Sequence, residues 1–363
     1  MNKVLKIIAC VLAVVNVLVI SYVVVSEVGL KTNVQEEQQQ DDVKNARKAY
    51  IENPDLFECN WSSEFDVPDW MTDYNEKLAA YADTDGRMMS VFHKGDFKHY
   101  PENSIEAVIS AIKMGADAVE VDLCLTKDKI VVLMHDATDL SRSTDWFAKN
   151  GTNGLPKSQK VGDWTLAELQ QLNLVMEDGS ETDYIIPTFE EVLSVCKGRT
   201  KLVLDKTDDW AWKQDVHPLI EKYGAWDTCI LPRTYSFSNK NNIAKVLKAA
   251  GGGSGIYAFE DIGTASSDGW EGVVSKVKDS GNDYILYWAA SSVTKQTIEK
   301  TSPYLSKIAG TIRIFAQNHK SMGGNETDKY WTYLWENGVN IVLTDEGLNL
   351  QKYIAANYEP TAY

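Results

Sequence analysis

Residues 118–135 read AVEVDLCLTKDKIVVLMH, two β-rich runs separated only by Thr126-Lys127-Asp128-Lys129. Four residues are too few for a parallel crossover, so an antiparallel hairpin is expected here. A two-residue turn at Lys127-Asp128 would pair Thr126 with Lys129 and set His135 opposite Glu120. Outward from this hairpin the chain repeats one theme. Further strand-like runs occupy 88–93, 201–205, 228–232, 255–259, 284–288, 310–316 and 341–344, and helical patterns such as 104–114, 165–172, 188–196 and 328–337 lie between most of them. Alternating strands and helices predict the α/β class with a parallel sheet, and at this size a (β/α)8 TIM barrel. Nine runs exceed the eight required, and the hairpin accounts for the surplus as an antiparallel appendage after the second strand. The stretch 137–163, with Asn150-Gly151 and Gly154-Leu155-Pro156, has loop punctuation and reads as an excursion above the barrel.

The 363 residues are 44% apolar and include 11 Trp and 17 Tyr, enough to bury a substantial core and to exclude a disordered chain. Lys and Arg number 36 against 52 Asp and Glu, a formal charge of -16 that argues against a nucleic-acid partner. Ile7 to Val25 carries no charge and follows Lys3 and Lys6. It is long enough to span a bilayer, and the two lysines favour a cytoplasmic N-terminus with the remainder outside. Two readings stay open: a single-pass anchor in the cell membrane, or secretion after signal cleavage near Val24-Val25-Ser26. The expected organisation is therefore a membrane segment at 1–26, a polar spacer and leading segment at 27–87, and a barrel domain at 88–358. Cys59, Cys124, Cys196 and Cys229 have the spacing of neither a zinc cluster nor a disulfide-dense module, although one disulfide is compatible with an outside location.

Glu120 and Asp122 are two apart on one strand, so both carboxylates point to the same face, while Val119, Val121 and Leu123 point the other way. An acidic pair on a barrel strand must sit at the wet mouth or bind a cation. His93 and the pair Asp205-Lys206 each end a strand-like run, where barrel active sites are built. Glu120, Asp122 and Asp205 are hard oxygen donors that suit Ca²⁺ or Mg²⁺, His93 and His135 are imidazoles able to give and take a proton, and Lys94 and Lys206 are cations for a phosphoryl group. Such a set suits metal-assisted cleavage of a phosphodiester. The bland readings are a solvated strand end for the acids, structural roles for the histidines and a surface ion pair at Asp205-Lys206.

The ordered series His93-Lys94-Gly95, Pro101-Glu102-Asn103-Ser104, 115–122 (GADAVEVD), Thr126-Lys127-Asp128 and 131–136 (VVLMHD) resembles the glycerophosphodiester phosphodiesterase family. Further matches are 165–169 (TLAEL), 186–193 (IPTFEEVL) and 338–345 (GVNIVLTD), so the likeness runs over roughly 88–350. It implies a (β/α)8 barrel that hydrolyses glycerophosphodiesters to glycerol phosphate and an alcohol with a divalent cation. Position by position it places the catalytic histidines on His93 and His135 and two metal ligands on Glu120 and Asp122. The third carboxylate falls near Asp205, although strict spacing from Lys206 points to Leu204. Lys94 replaces a usual Arg, Lys129 a common turn Gly and Phe315 a frequent Trp, and Cys124 shares the face of the acids. A phospholipase of the same superfamily acting on lipid head groups, and a non-catalytic module binding a phosphate ligand, are the alternative functions.

Overall fold

The computed structural model describes residues 43–82, 86–206, 215–231, 257–261, 285–288, 313–317 and 325–358. The apolar run at 7–25 lies outside them, and no helix among the described residues is long and apolar enough to cross a membrane. Residues 43–52 are helical and belong to a unit that ends at Asn53; a second unit begins at Pro54.

The second unit contains eleven strands among its described residues. They are β1 (Met89–Phe92), β2 (Ala118–Leu125), β3 (Val131–Leu133), β4 (Asn173–Val175), β5 (Glu181–Ile185), β6 (Lys201–Asp205), β7 (Cys229–Leu231), β8 (Tyr257–Asp261), β9 (Ile285–Trp288), β10 (Arg313–Gln317) and β11 (Ile341–Thr344). Eight of them pair in parallel in the order β1-β2-β6-β7-β8-β9-β10-β11, and β11 returns to β1. The sheet thus closes on itself and leaves no parallel edge. Its inward residues Met89, Val91, Ala118, Val203, Ile230, Phe315, Ile341 and Leu343 form one buried cluster that fills the barrel. Phe315 is part of this filling.

β3 is the ninth run, antiparallel to the far end of β2, as the short connection requires. Its register differs from the expected one. Leu125 pairs with Val131, and Thr126 N donates to Ile130 O, so the connection is the three residues 127–129. Lys129 adopts φ +67°, and Thr126 Oγ1 accepts from Ile130 N while donating to Asp128 Oδ1. These side-chain bonds stabilise a wider turn with a left-handed third residue. Asp122 consequently meets Met134, and His135 lies beyond the paired strand instead of opposite Glu120.

The excursion extends to Pro187, further than the loop signals suggest, and has its own core of Met134, Leu140, Trp164, Leu172, Leu174 and Ile186. It includes the β4–β5 hairpin, whose strand ETDYI has no apolar alternation to announce it. Reciprocal capping boxes at Thr165/Glu168 and Thr188/Glu191 start the helices Leu166–Leu169 and Phe189–Cys196.

Residues 54–82 pack on the barrel. The helix Ile105–Lys113 is buried from Ile105 through Ile112, with Ser104 as its cap, because its outer side is also covered. Trp61 Nε1 donates to Ser110 Oγ at 2.7 Å and Lys113 Nζ to Phe57 O at 2.5 Å. At the N-terminal end of β2, the buried Lys77 ammonium donates to Ala116 O and Arg199 O, and burial lowers its pKa to about 8. Beside it the Arg87 guanidinium binds both oxygens of Asp117, which also accepts from Ser90 N. No disulfide joins Cys59, Cys124, Cys196 or Cys229, all of which are buried.

Removing one partner of a buried ion pair leaves the other charge uncompensated. Asp117→Ala should therefore destabilise the protein by about 3–5 kcal/mol, read as a lower urea midpoint, while divalent-ion affinity at the opposite end of the barrel stays unchanged.

Candidate metal and phosphodiester site

Side chains alternate along each inward strand, so the residues that follow the apolar filling emerge at the C-terminal mouth. Val91 is followed by His93, Ala118 by Glu120 and Asp122, Val203 by Asp205, and Leu343 by Asp345. The β2–β6 register pairs Asp122 with Asp205 and Val121 with Leu204. Leu204 therefore shares the outward face of Val121, and Asp205 is the carboxylate on the face of Asp122. One oxygen from each of Glu120, Asp122 and Asp205 lies within 4.8 Å of the others. Glu120 and Asp122 are buried and Asp205 is exposed, so the cluster opens toward solvent on one side.

Three converging carboxylates are electrostatically unfavourable without a counter-charge. Burial first, then Asp122 and Asp205, push the Glu120 carboxyl well above the usual range, against a hydrogen bond from Lys94 N at 3.0 Å. Neighbouring groups hold the acids in place. Asn103 donates through Nδ2 to Asp122 Oδ2 at 2.8 Å and accepts from Asp122 N through Oδ1 at 3.0 Å. Lys206 Nζ stands 3.7 Å from Asp122 Oδ1 and donates to His135 O at 2.7 Å, which ties the β3 end to the acidic cluster. The donor set is oxygen only, its members face one point, and its charge calls for a cation; it fits a divalent ion such as Ca²⁺ or Mg²⁺.

His93 Nδ1 lies 2.7 Å from Asp345 Oδ1, and the ring meets Phe97 edge-on. His135 Nδ1 is 3.2 Å from Asp136 Oδ2 but outside hydrogen-bond geometry, while Arg142 holds that oxygen at 2.8 Å. Lys94 is less available than its charge suggests: its ammonium is 2.6 Å from Glu102 Oε2, and Ser143 donates to the other oxygen of that carboxylate. Burial would raise the Glu102 pKa, but Lys94 and Ser143 outweigh it and hold the group ionised below its usual range. Cys124 packs in the excursion core, with Sγ donating to Met134 O.

Lys94, Asn103 and Lys206 all adopt left-handed backbone conformations, at φ +56°, +58° and +55°. Each such non-glycine residue costs about 1 kcal/mol or more, and strain of this kind collects where a surrounding network dictates side-chain placement. Gly95 follows at φ +80°, where a Cβ would come within 2.8 Å of the Ala107 backbone. The mouth also includes residues that composition and spacing do not single out. Glu102, Asn103 and Asp345 lie in the family-like motifs, whereas Glu326, which accepts from Asp345 N, has no sequence signal.

Fold and mouth together describe a closed eight-stranded parallel barrel of the TIM type, with an acidic cluster that could hold a divalent cation and two histidines at the C-terminal ends of its strands. Residues 93–224 match the glycerophosphoryl diester phosphodiesterase family. Over 119 residues it is 33% identical to a glycerophosphodiester phosphodiesterase of Caldanaerobacter subterraneus subsp. tengcongensis, covering 32% of this chain and 44% of the relative. The chain thus spans less than half the length of the curated relatives it matches. In fold it resembles a glycerophosphoryl diester phosphodiesterase from Parabacteroides distasonis, at 21% identity and a TM-score of 0.60 over 80% of this chain and 94% of that one. It also resembles an Oleispira antarctica phosphodiesterase solved with the product sn-glycerol-3-phosphate, at 19% identity and a TM-score of 0.51 over 74% and 96%.

The raised Glu120 carboxyl has a definite thermodynamic sign. Without a cation the folded protein retains a proton that the unfolded chain releases above the ordinary value of 4.5, so stability should fall as pH rises through that region. Thermal midpoints of cation-free protein should show this slope, and Glu120→Gln should flatten it. Ca²⁺ or Mg²⁺ at about 100 times its dissociation constant should stabilise the wild type by about 2.7 kcal/mol at neutral pH. An unchanged slope in Glu120→Gln would show that this carboxylate is not the source.

Proposed function

We propose that this chain is a metal-dependent phosphoric diester hydrolase that cleaves glycerophosphodiesters to glycerol phosphate and an alcohol. The observation that carries the reading is the convergence of Glu120, Asp122 and Asp205 oxygens within 4.8 Å at the mouth of a barrel whose residues 93–224 match this family. The product named for the Oleispira antarctica phosphodiesterase is consistent with it. These three carboxylates would hold Ca²⁺ or Mg²⁺, which supplies charge neutralisation at the phosphoryl oxygens.

The remaining work falls to side chains. Asp345 on Nδ1 of His93 leaves Nε2 as the ring nitrogen that exchanges a proton with the substrate, and stabilises the imidazolium when it forms. His135 is the second proton-transfer group, so one imidazole activates the nucleophile while the other protonates the departing alcohol oxygen. Lys206 is the cation poised for a phosphoryl oxygen, since it already reaches both the Asp122 carboxylate and the His135 carbonyl. Lys94 fixes Glu120 through its backbone N–H, and its ammonium joins the phosphate only by leaving Glu102. The uncharged run at 7–25 behind Lys3 and Lys6 supports a barrel held outside the cell membrane, with lipid head groups as an accessible source of the same diester.

Hydrolysis of glycerophosphocholine and of bis-p-nitrophenyl phosphate, with and without Ca²⁺ or Mg²⁺, tests this reading. His93→Ala and His135→Ala should each lower kcat by about 10²–10⁴-fold, and chelation should abolish turnover. Activity that survives loss of both histidines would overturn the mechanism. Absence of turnover across a diester panel that includes lysophospholipids would favour a binding module.

A further inference from the structure

We infer that Glu326 is a positioning residue for the reaction, setting His93 through Asp345; the inference rests on the reading of His93 as a proton-transfer group. β11 ends at Thr344, and its neighbour across the barrel seam is β1, where His93 N donates to Thr344 O at 3.1 Å. Asp345 therefore leaves the sheet beside His93, and its carboxylate reaches Nδ1 at 2.7 Å. The direction of that carboxylate depends on the backbone of 344–346.

Nothing local fixes that backbone completely. The helix Gly347–Asn357 is preceded by Glu346 as its cap residue, whose side chain makes no capping bond. The N–H groups are instead taken by a residue from another element, immediately before the helix Asp328–Glu336. Glu326 Oε1 accepts from Thr344 Oγ1 at 2.5 Å, from Asp345 N at 2.6 Å and from Glu346 N at 3.2 Å. Thr344 Oγ1 in turn accepts from Glu346 N at 3.0 Å. One carboxylate oxygen thus gathers three donors and holds the turn that aims Asp345.

The choice of an acid there is costly in isolation. Burial and the nearby Asp345 charge raise the Glu326 carboxyl, so two like charges are kept together. Charge-assisted bonds to backbone N–H groups compensate, and the result is a carboxylate that orients a second carboxylate that orients an imidazole. Displacement of a proton-transfer group by about 1 Å costs on the order of 10² in rate, so a device two residues removed from the substrate can control turnover without touching it.

The test uses the full chain with saturating Mg²⁺ or Ca²⁺ and bis-p-nitrophenyl phosphate, with thermal midpoints as the folding control. Glu326→Leu should lower kcat at least about 10-fold with KM within about twofold. Glu326→Gln keeps a carbonyl oxygen in the same place and should recover most of that loss. Asp345→Asn should cost about 10² or more, and Glu326→Leu added to Asp345→Asn should cost nothing further, because both act through His93. Wild-type kcat in folded Glu326→Leu, or full additivity of the two losses, would overturn the inference. Should Glu326→Leu fail to fold, Glu326→Asp withdraws the acceptor by one methylene and must show the same selective fall in kcat. His93→Ala separates the two ideas: undiminished activity there sinks the role of His93 itself, whereas an inactive His93→Ala beside a silent Glu326→Leu sinks only the positioning.

Discussion

Three carboxylates within 4.8 Å of one another, two of them buried, impose a charge problem on the mouth of this barrel. Much of the surrounding structure can be understood as an answer to it. The Lys94 amide turns inward to Glu120, Asn103 makes a two-way bond with Asp122, and Lys206 leans across Asp122 to the His135 carbonyl. Each of these three residues accepts a left-handed backbone to do so. The strain and the repulsion are both stored at one end of the barrel. The other end has the buried Arg87–Asp117 pair and the Lys77 plug, which hold the strand starts. Stability and chemistry are thus separated along the barrel axis, as the geometry of inward-filled barrels permits.

Much of this was legible in the sequence for a simple reason. Period-two alternation in AVEVDLCL forces Glu120 and Asp122 onto one face whatever else the chain does, and KLVLD ends with Asp205 on the corresponding face of the next strand. Strand existence follows from β-branched runs, and helix starts from Ser104 and Thr188. Register is a different kind of information. It depended on whether Lys129 would adopt φ +67°, a conformation usually signalled by glycine and here stabilised by the side chains of Thr126 and Asp128. A one-residue shift moved His135 from a paired position to the end of the strand, where the link from its carbonyl to Lys206 ties it to the acids.

Residues that act through the backbone of another element leave no pattern of their own. Glu326 precedes an ordinary helix and becomes meaningful only because the fold brings it to the N–H groups after β11. Asp345 is intermediate: its place at the end of IVLT marks a strand terminus, but its bond to His93 crosses 252 residues. The β4–β5 hairpin is hidden for a related reason, since Glu181–Ile185 is largely solvated and has no buried face to impose periodicity.

The leading residues 54–82 also bear on modularity. A cut made by the strand–helix repeats would fall just before β1, yet the helix Ile105–Lys113 is buried on both its inner and outer sides, Glu106 and Ser110 included, and relies on Trp61 and its neighbours for cover. The repeat unit and the inheritable unit therefore differ. Grafting or shuffling of this barrel would have to carry the preceding thirty or so residues with it, and they behave as a sash of the domain in spite of lying outside its symmetry.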